Sequence, residues 1–273
     1  MKNNENKIEI EPVIETKEDC DKYIYNIPYF AFLDILGFKA LVKNNSHNTL
    51  IELYKKLVSF PVTFYNDFHS NEQKQLEEKL GEKFYPTGLR LVNISDSIML
   101  WTSNCREKTL IELLFAVKLL MSTAIKTGIP LRGTVVMGSI EVLEQQGSLS
   151  IVGRGLVHAY STEKMQEWSG CIIDKGIFRF LRSLNKVVLQ KDTPLRVEKL
   201  NNLIIETNVP LKNGKVVKSY VINWVNKMEL TENDIYNSFA KFNKRDKEDK
   251  KQKNEVERKI ANTISFYKSV QSL

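Results

Sequence analysis

The sequence predicts an α+β fold, in which helices pack on a mixed, largely antiparallel sheet. The predicted elements follow one another in the order β-α-α-β-β-α-β, and a short strand, a helix and a further strand come next. Such a mixed order is typical of α+β proteins, whereas an α/β protein alternates strands and helices regularly. Of the 273 residues, 42% are hydrophobic and 27% are charged, a composition that excludes a mainly disordered or disulfide-stapled chain.

Apolar runs and helical spacing define the elements of the first half of the chain. Residues 29–33 are all apolar, as expected for a strand that is buried on both faces. Only Ser95, Asp96 and Ser97 separate two later apolar strands, which favours a hairpin. In chain order, the predictions are a flexible polar lead-in at 1–27, a strand at 29–33, helices at 39–43 and 49–67, a polar excursion at 70–88, and strands at 89–94 and 98–102.

The second half begins with the strongest helical pattern, at 107–126, which Gly128 and Pro130 close. The strand predicted at 131–137 is expected to pair with a short strand at 150–152. An Asn-Gly step at 213–214 predicts a hairpin turn. The other predictions are a helix at 155–168, strands at 171–173 and 220–225, a long helix from Asp234, one domain at 28–185, and a segment at 186–273 that completes or extends that domain.

The net charge of +7 does not by itself indicate a nucleic-acid partner. Residues 241–260 contain nine Lys or Arg and five Asp or Glu, so this one segment holds +4 of the total. Its alternating signs are typical of a solvated helix face or a mobile surface segment, and contact with phosphates or a partner is the alternative. Because the basic excess is confined to this segment, no nucleic-acid partner is expected.

The cysteines and the hydropathy of the chain indicate a cytoplasmic protein. Cys20, Cys105 and Cys171 lie far apart and form neither a disulfide framework nor a metal knuckle, which fits a reducing compartment. The N-terminus has no apolar core of signal-peptide length. The most apolar stretch, 110–125, carries two charged side chains and is shorter than the roughly 20 residues that span a bilayer. No membrane partner is therefore expected.

Asp34 and Asp96 are the candidate metal ligands. Asp34 ends an apolar strand, and Asp96 lies at the tip of a hairpin with apolar arms. A carboxylate among buried residues must be hydrogen-bonded, paired or metal-bound, and two neighbouring carboxylates repel each other unless a cation lies between them. Mg²⁺ and Mn²⁺ take such oxygen ligands together with substrate phosphates. The alternative is that both aspartates only satisfy backbone groups of turns.

Four ordered segments between residues 28 and 180 resemble the motifs of the class III nucleotide cyclases. Residues 32–38 (FLDILGF) resemble the first metal-binding motif, F-x-D-I-x-G-F, and Asp96 lies where that family has its second metal aspartate. Residues 132–138 (RGTVVMG) resemble the strand motif R-x-G-I-H-x-G. Residues 153–163 (GRGLVHAYSTE) align without gaps with the helix motif G-x-x-V-N-x-A-x-R-x-E. The element order also matches that of the family.

This resemblance implies a cyclase catalytic domain at 28–185 with a ferredoxin-like core, and a homodimer with two sites at its interface. It implies that Asp34, Asp96 and the Ile35 carbonyl hold two Mn²⁺ or Mg²⁺ ions, which activate the ribose 3′-hydroxyl of a nucleoside triphosphate and neutralise the departing pyrophosphate. Phe38 and Arg132 are implied as substrate-binding residues, with Arg132 as the clamp on the triphosphate. The alternative for Arg132 is a surface salt bridge at the start of a strand.

Three positions depart from the family's pattern. Val157 and Ser161 stand where the family has the helix Asn and Arg that contact the ribose and the reacting phosphate from the partner subunit. Val92 stands where the adenine-selecting Lys would be. Another cation must then stabilise the transition state, and of the two candidates, Arg154 and Lys164, we favour Arg154 as the catalytic residue.

These departures, with the segments 95–97 (SDS) and 159–163 (AYSTE), resemble the bacterial pyrimidine cyclases of Pycsar antiphage defence. That resemblance implies UTP or CTP as the substrate, with UTP and cyclic UMP favoured, and a product that activates a separate effector protein. Two alternatives stay open. One is an adenylate or guanylate cyclase, and the other is a catalytically inactive cyclase-like module that binds a nucleotide or a partner.

Overall fold

The computed structural model describes residues 27–59, 89–105, 107–145, 148–181, 203–225, 230–240 and 250–272. The strands are β1 (Tyr29–Ile35), β2 (Arg90–Ile94), β3 (Ser97–Trp101), β4 (Leu131–Met137), β5 (Glu141–Gln145), β6 (Ser148–Val152), β7 (Cys171–Ile173), β8 (Ile204–Pro210) and β9 (Val216–Ile222). The helices are α1 (Phe38–Asn44), α2 (His47–Tyr54), α3 (Glu107–Thr127), α4 (Arg154–Met165), α5 (Glu232–Ala240) and α6 (Lys250–Gln271).

Seven of these strands form one sheet in the order β2-β3-β1-β4-β7-β9-β8, and β5 and β6 form a separate hairpin. Within the described part of the large sheet, β4 and β7 pair in parallel, and the other neighbours pair antiparallel. Helices cover the sheet on both faces. The predicted α+β fold with a largely antiparallel sheet is therefore confirmed.

The central strand β1 is buried on both faces, as predicted. Its residues 29, 31, 33 and 35 pack into the large core that includes α3, whereas Phe30 and Phe32 pack on the opposite face with Ala159 of α4. Because side chains alternate along a strand, Asp34 follows Phe30 and Phe32 onto the α4 face. The packing of β1 thus places a carboxylate beneath α4.

The described C-terminal elements pack on the same large core as α3. The ring of Phe266 on α6 lies 4.9 Å from that of Trp168 and 5.7 Å from that of Trp224. Ile235 and Phe239 of α5 are also buried in this core. The helix α6 therefore reaches the segment that directly follows α4.

The predicted partner of the 131–137 strand was wrong. The strand at 150–152 belongs to β6, which pairs with β5, and β4 lies instead between β1 and β7. The physical reason is burial: β4 is buried along its whole length and needs a neighbour on each side, while β6 is mostly exposed. Neither β5 nor β8 was predicted, and β8 ends in Pro210 at the edge of the sheet, where proline is tolerated.

The predicted Asn-Gly turn is confirmed between β8 and β9, since Gly214 has φ 78° there. The helix predicted at 155–168 ends earlier, at Met165, and the helix predicted from Asp234 consists of α5 and α6. Residues 1–26, 60–88 and 241–249 lie outside the described residues, and with them most of the lead-in, the end of the 49–67 helix, the polar excursion and part of the charged segment. No helix in the described part is long and apolar enough to cross a membrane.

Candidate functional site

The two predicted metal ligands lie side by side at one end of the sheet. Asp34 is opposite Ser97 in the pairing of β1 with β3, and the Ile35 N–H donates to the Asp96 carbonyl at 2.9 Å. Asp96 forms the tip of the β2–β3 hairpin with Ser95, whose φ of 58° is the left-handed conformation of a tight two-residue turn. The hairpin therefore brings Asp96 next to the end of β1.

Asp34 is a buried carboxylate with few partners. It is 8% exposed, and none of the described residues donates a hydrogen bond to its side chain. The nearest cations are Arg132 Nη2 and Lys164 Nζ, at 3.7 and 3.9 Å from Asp34 Oδ2. Burial, followed by the charge of Glu163, raises the pKa of Asp34 from 3.8 to about 6, against the effects of Lys164 and Arg132, and Asp96 adds to the rise.

Arg132 lies directly opposite Asp34 in the pairing of β1 with β4, and Glu163 of α4 holds it. Its Nε donates to Glu163 Oε1 at 2.5 Å, Nη2 contacts the same oxygen, and Nη1 donates to the Gln166 carbonyl at 3.1 Å. The side chains of Arg132 and Glu163 are 4% and 0% exposed, so this is a buried ion pair rather than a surface one. The guanidinium brings positive charge to Asp34, and its contact with a triphosphate stays a prediction.

Gln166 fixes the strand that carries Arg132. Its Nε2 donates to the Gly133 carbonyl at 2.8 Å, and its Oε1 accepts from Trp168 Nε1 at 3.0 Å. A Cβ at Gly133 would lie 2.3 Å from a leucine methyl group and 2.7 Å from a backbone oxygen, both of β1. Only glycine therefore allows the strands of Asp34 and Arg132 to pack at this distance.

Two aromatic residues lie beside the hairpin tip. The Tyr54 hydroxyl donates to the Ser95 carbonyl at 2.7 Å, and burial together with the charge of Asp96 raises the pKa of Tyr54 to about 12. Phe38, the predicted substrate-binding residue, begins α1, and its ring lies 6.4 Å from the Tyr54 ring at 80°. The structure thus places Phe38 next to the aspartate turn, and its contact with a substrate stays a prediction.

The outward face of α4 carries the departures from the cyclase motif. Val157 is 66% exposed and Ser161 is also exposed, whereas Gly155, Ala159 and Glu163 share the buried face. The two missing polar groups would therefore have pointed away from this subunit. Val92, at the position of the family's base-selecting Lys, is half-buried on β2 beside the smaller cluster of the α4 face.

The two candidate cations lie at opposite ends of α4. Arg154 is exposed in the first turn, and Lys164 is in the last turn, about 15 Å away at 1.5 Å per residue. Lys164 Nζ lies near Asp34 and also 5.2 Å above the ring of Tyr160. Within one chain, the structure brings Lys164 to the candidate metal ligand and leaves Arg154 far from it. The catalytic role predicted for Arg154 stays a prediction.

Sequence reasoning assigned no role to Glu163 and did not find Gln166. For Glu163 the sequence does contain a signal. Glu163 follows Gly155 and Ala159 at intervals of four residues, so it lies on the helix face that carries these two small residues. A carboxylate on such a face needs a buried cation as its partner. For Gln166 the sequence offers no signal, since it follows the last helical residue and acts through contacts made by the folded chain.

The donor set fits a hard divalent cation. Within the described ranges, no group of three or more His, Cys, Asp or Glu could hold a metal ion alone. Mg²⁺, however, is commonly bound by one or two carboxylates plus substrate phosphates and water. Asp34 and Asp96 can supply such carboxylates, and the Asp34 side chain accepts no hydrogen bond from the described residues that would compete with an ion. The role of the Ile35 carbonyl as a metal ligand stays a prediction.

Comparisons with known proteins give structural similarity only. No protein-family model matches the chain, and no curated protein matches it. Among solved structures, a guanylyl cyclase domain of the RhoGC fusion protein from the aquatic fungus Blastocladiella emersonii aligns with 73% of this chain and 97% of its own, at 11% identity and a TM-score of 0.41. The adenylyl cyclase CyaB from P. aeruginosa aligns with 72% of this chain and 93% of its own, at 14% identity and a TM-score of 0.37.

Proposed function

We propose that this chain is a nucleotide cyclase, which converts a nucleoside triphosphate to a 3′,5′-cyclic nucleotide and pyrophosphate. The observation that carries the proposal is the position of Asp34 beside Asp96, with Asp34 buried and its side chain accepting no hydrogen bond from the described residues. The four ordered motifs of the sequence support it, since two of them supply these aspartates and the other two supply Arg132 and α4.

Asp34 and Asp96 are the residues that would hold Mg²⁺ or Mn²⁺. When bound, two such ions would lower the pKa of the ribose 3′-hydroxyl and neutralise the charge on the departing pyrophosphate. The chain's own cations add to this field. Lys164 and Arg132 lie within 4 Å of Asp34, and Glu163 holds Arg132 in place so that it need not reorganise during the reaction.

A homodimer is the proposed assembly, with each site formed between two chains. Val157, Tyr160 and Met165 leave large apolar surface exposed on α4, and the β5–β6 hairpin beside it exposes Leu143 and Val152. Large apolar side chains exposed on neighbouring elements are expected where another protein surface covers them. A second copy packed on this face would bring the exposed first turn of α4, with Arg154, to the partner's aspartates.

A pyrimidine triphosphate is the proposed substrate, with UTP favoured over CTP. The support is chemical: Val92 cannot donate the hydrogen bond by which the family's Lys selects adenine, and the motif segments resemble those of the Pycsar pyrimidine cyclases. On this proposal the cyclic product acts on a separate effector protein in antiphage defence. An adenylate or guanylate cyclase is the alternative, and it differs in which triphosphate is consumed.

One observation favours a second candidate function, a nucleotide-binding module without turnover. The exposed positions that carry Asn and Arg in the family carry Val157 and Ser161 here, and neither side chain offers a charge to a reacting phosphate. On this alternative Asp34 and Asp96 would still bind a metal–nucleotide complex.

The test is product formation by the purified full-length chain. The protein is incubated with Mn²⁺ or Mg²⁺ and each of the four triphosphates in turn, and the product is identified by mass. We expect cyclic UMP, with loss of activity in Asp34→Asn and Asp96→Asn. Glu206→Gln is the matched control, because Glu206 is partly exposed and, among the described residues, forms its ion pair with Lys218 on the neighbouring strand.

The outcomes separate the candidates. Cyclic AMP or cyclic GMP as the main product would overturn the pyrimidine assignment and keep the cyclase. Nucleotide binding without any cyclic product, from folded dimeric protein, would support the inactive module instead. Full activity in both aspartate variants would contradict the assigned site.

A further inference from the structure

The turn that carries Asp96 is held by contacts from outside its own hairpin. Ser95 and Asp96 lie beyond the last residue pair of the β2–β3 ladder. The Asp96 carbonyl accepts from the Ile35 N–H of β1 at 2.9 Å. The Ser95 carbonyl accepts from the Tyr54 hydroxyl of α2 at 2.7 Å. Two different elements therefore fix the two backbone carbonyls at the tip of the hairpin.

Two effects would displace this turn if those contacts were absent. Ser95 is the only non-glycine residue with a positive φ in the described part of the chain, and this left-handed conformation costs free energy for a residue with a Cβ. The negative charge of Asp96 also contributes to the raised pKa of Asp34, and like charges repel each other. Without an ion between the two carboxylates, the contacts of the turn must oppose both effects.

The two aspartates differ in how firmly their strands hold them. Asp34 lies on β1, which pairs with β3 and β4 and is buried along its whole length. Asp96 lies at the tip of a hairpin, and β2 is an outer strand of the described sheet. The position of Asp96 relative to Asp34 therefore depends on the contacts at the turn more than on the pairing within the sheet.

Tyr54 is a firm anchor for the turn. Leu53 of α2 and Leu57 of the π-helical turn that follows it are both buried in the large core. The Tyr54 ring also packs edge-on against that of Phe38, at 6.4 Å and 80°. Burial, and then the charge of Asp96, raises the pKa of Tyr54 to about 12, so the hydroxyl stays protonated and keeps donating at neutral pH.

We propose that Tyr54 is a positioning residue for Asp96. Its hydroxyl holds the Ser95 carbonyl and thereby keeps the Asp96 carboxylate where it can share a divalent cation with Asp34. The inference rests on the proposed function, because it requires that the two aspartates bind Mg²⁺ or Mn²⁺. It gives α2 a role in metal binding in addition to its packing on the core.

Binding of Mn²⁺ to the metal-free full chain, measured from the electron paramagnetic resonance signal of the free ion, tests this role. Tyr54→Phe removes the hydroxyl and keeps the ring that packs on Phe38. Loss of a group that orients a metal ligand typically weakens metal binding about 10- to 100-fold. We expect about 10-fold, the lower end of that range, because Tyr54 acts on Asp96 through the backbone.

Tyr267→Phe is the matched control. Tyr267 lies on α6, and its hydroxyl donates to the Leu230 carbonyl at 2.6 Å, so this variant also removes a tyrosine hydroxyl from a backbone carbonyl. Both variants should lose a similar, small amount of stability in urea unfolding, but only Tyr54→Phe should bind Mn²⁺ less tightly. Equal Mn²⁺ affinity in wild type and Tyr54→Phe would overturn the inference.

Kinetics provide the second readout. In an active enzyme, Tyr54→Phe should need about 10-fold more Mn²⁺ for half-maximal activity, in line with the weaker binding. A high Mn²⁺ concentration should restore its kcat, because both carboxylates are still present. Tyr267→Phe should keep the wild-type Mn²⁺ requirement. A kcat of Tyr54→Phe that stays low at saturating Mn²⁺ would overturn the positioning role.

The failure of this inference differs from that of the proposed function. Cyclic product together with wild-type Mn²⁺ affinity in Tyr54→Phe would overturn the positioning role and keep the cyclase. Weakened Mn²⁺ binding in Tyr54→Phe, with no product from any triphosphate, would keep the positioning role and overturn the cyclase.

Discussion

Replacement of Glu163 by Gln tests the buried ion pair on which the geometry of the site depends. Glu163 is fully buried, and both Nε and Nη2 of Arg132 contact its Oε1. Removal of one partner from a buried pair costs about 3–5 kcal/mol, because the other charge is left without compensation. Asp34 Oδ2, 3.7 Å from Nη2, can take over part of that role, so we expect a loss of about 3 kcal/mol, the lower end of that range.

The assay is urea unfolding, followed by tryptophan fluorescence, for Glu163→Gln and for the surface control Glu206→Gln. The Glu206–Lys218 pair is 40% and 68% exposed, so its loss should cost less than about 1 kcal/mol. The double variant Arg132→Met/Glu163→Leu removes both charges of the pair, so neither is left buried without its partner, and it should be more stable than Glu163→Gln alone. Equal, small losses in Glu163→Gln and in the control would refute the reasoning.

The same substitution changes the electrostatics of Asp34. Glu163 is the second largest cause, after burial, of the raised pKa of Asp34. Without that negative charge, and with the Arg132 guanidinium free to move closer, the pKa of Asp34 should fall from about 6 toward 3.8. Titration of the Asp34 carboxyl by NMR in metal-free protein measures this change, and an unchanged or higher pKa would contradict the assigned contacts.

Further predictions concern the assembly, the acid stability and the sheet. If sites are shared, mixing Asp34→Ala chains with Arg154→Ala chains should restore about a quarter of wild-type activity, because half of the dimers are mixed and each mixed dimer has one intact site. Mixing Asp34→Ala chains with Lys164→Ala chains should restore no activity, because one chain supplies both residues to the same site. Burial raises the pKa of Asp174, but hydrogen bonds from its histidine partner and a backbone N–H outweigh burial and lower the pKa below 3.8. The stabilising effect of the Asp174 carboxylate is therefore present above pH 3.8 and is lost as the pH falls through the folded-state pKa. The stability difference between wild type and Asp174→Asn in urea unfolding should therefore shrink below about pH 4, and a difference that grows on acidification would contradict it. Gly133→Ala would place Cβ 2.3 Å from a side-chain carbon of β1, so thermal unfolding should show a loss of about 1–3 kcal/mol, and an unchanged midpoint would show that β1 and β4 can separate.

The strand β1 shows how far local sequence patterns predict the site. A wholly apolar run that ends in Asp34 is enough to predict a strand buried on both faces with a carboxylate at its end. The tight spacing around Asp96 is enough to predict a hairpin. The position of Asp96 beside Asp34 needs one further fact, the antiparallel pairing of β1 with β3, which the shared motif order suggested and the structure describes.

The partners of Arg132 could not be predicted in this way, because they depend on packing between distant elements. The sequence offers Glu163 as one of many helix carboxylates, and only the contact of α4 with β1 and β4 selects it. The wrong partner for β4 has the same origin. An apolar strand shows that it is buried, but its neighbours are chosen by the whole sheet, and β7 and β1 outcompete the exposed β6.

On the proposed function, Lys164 adds a positive charge beside Asp34 of its own chain, whereas the Arg that the cyclase motif loses at Ser161 would have faced the partner's site. Electrostatic stabilisation depends on where a charge lies relative to the reacting groups, and a helix offers neighbouring positions three and four residues away. Lys164 occupies such a position and reaches Asp34 within its own chain, whereas Arg154, at the other end of the helix, can act only on a partner's site. The two cations therefore make opposite demands on assembly: a charge supplied by Lys164 needs no second chain, and one supplied by Arg154 requires a dimer. Because the exposed apolar face of α4 also favours a dimer, both can act on one substrate, with Lys164 from the chain that supplies the aspartates and Arg154 from the other.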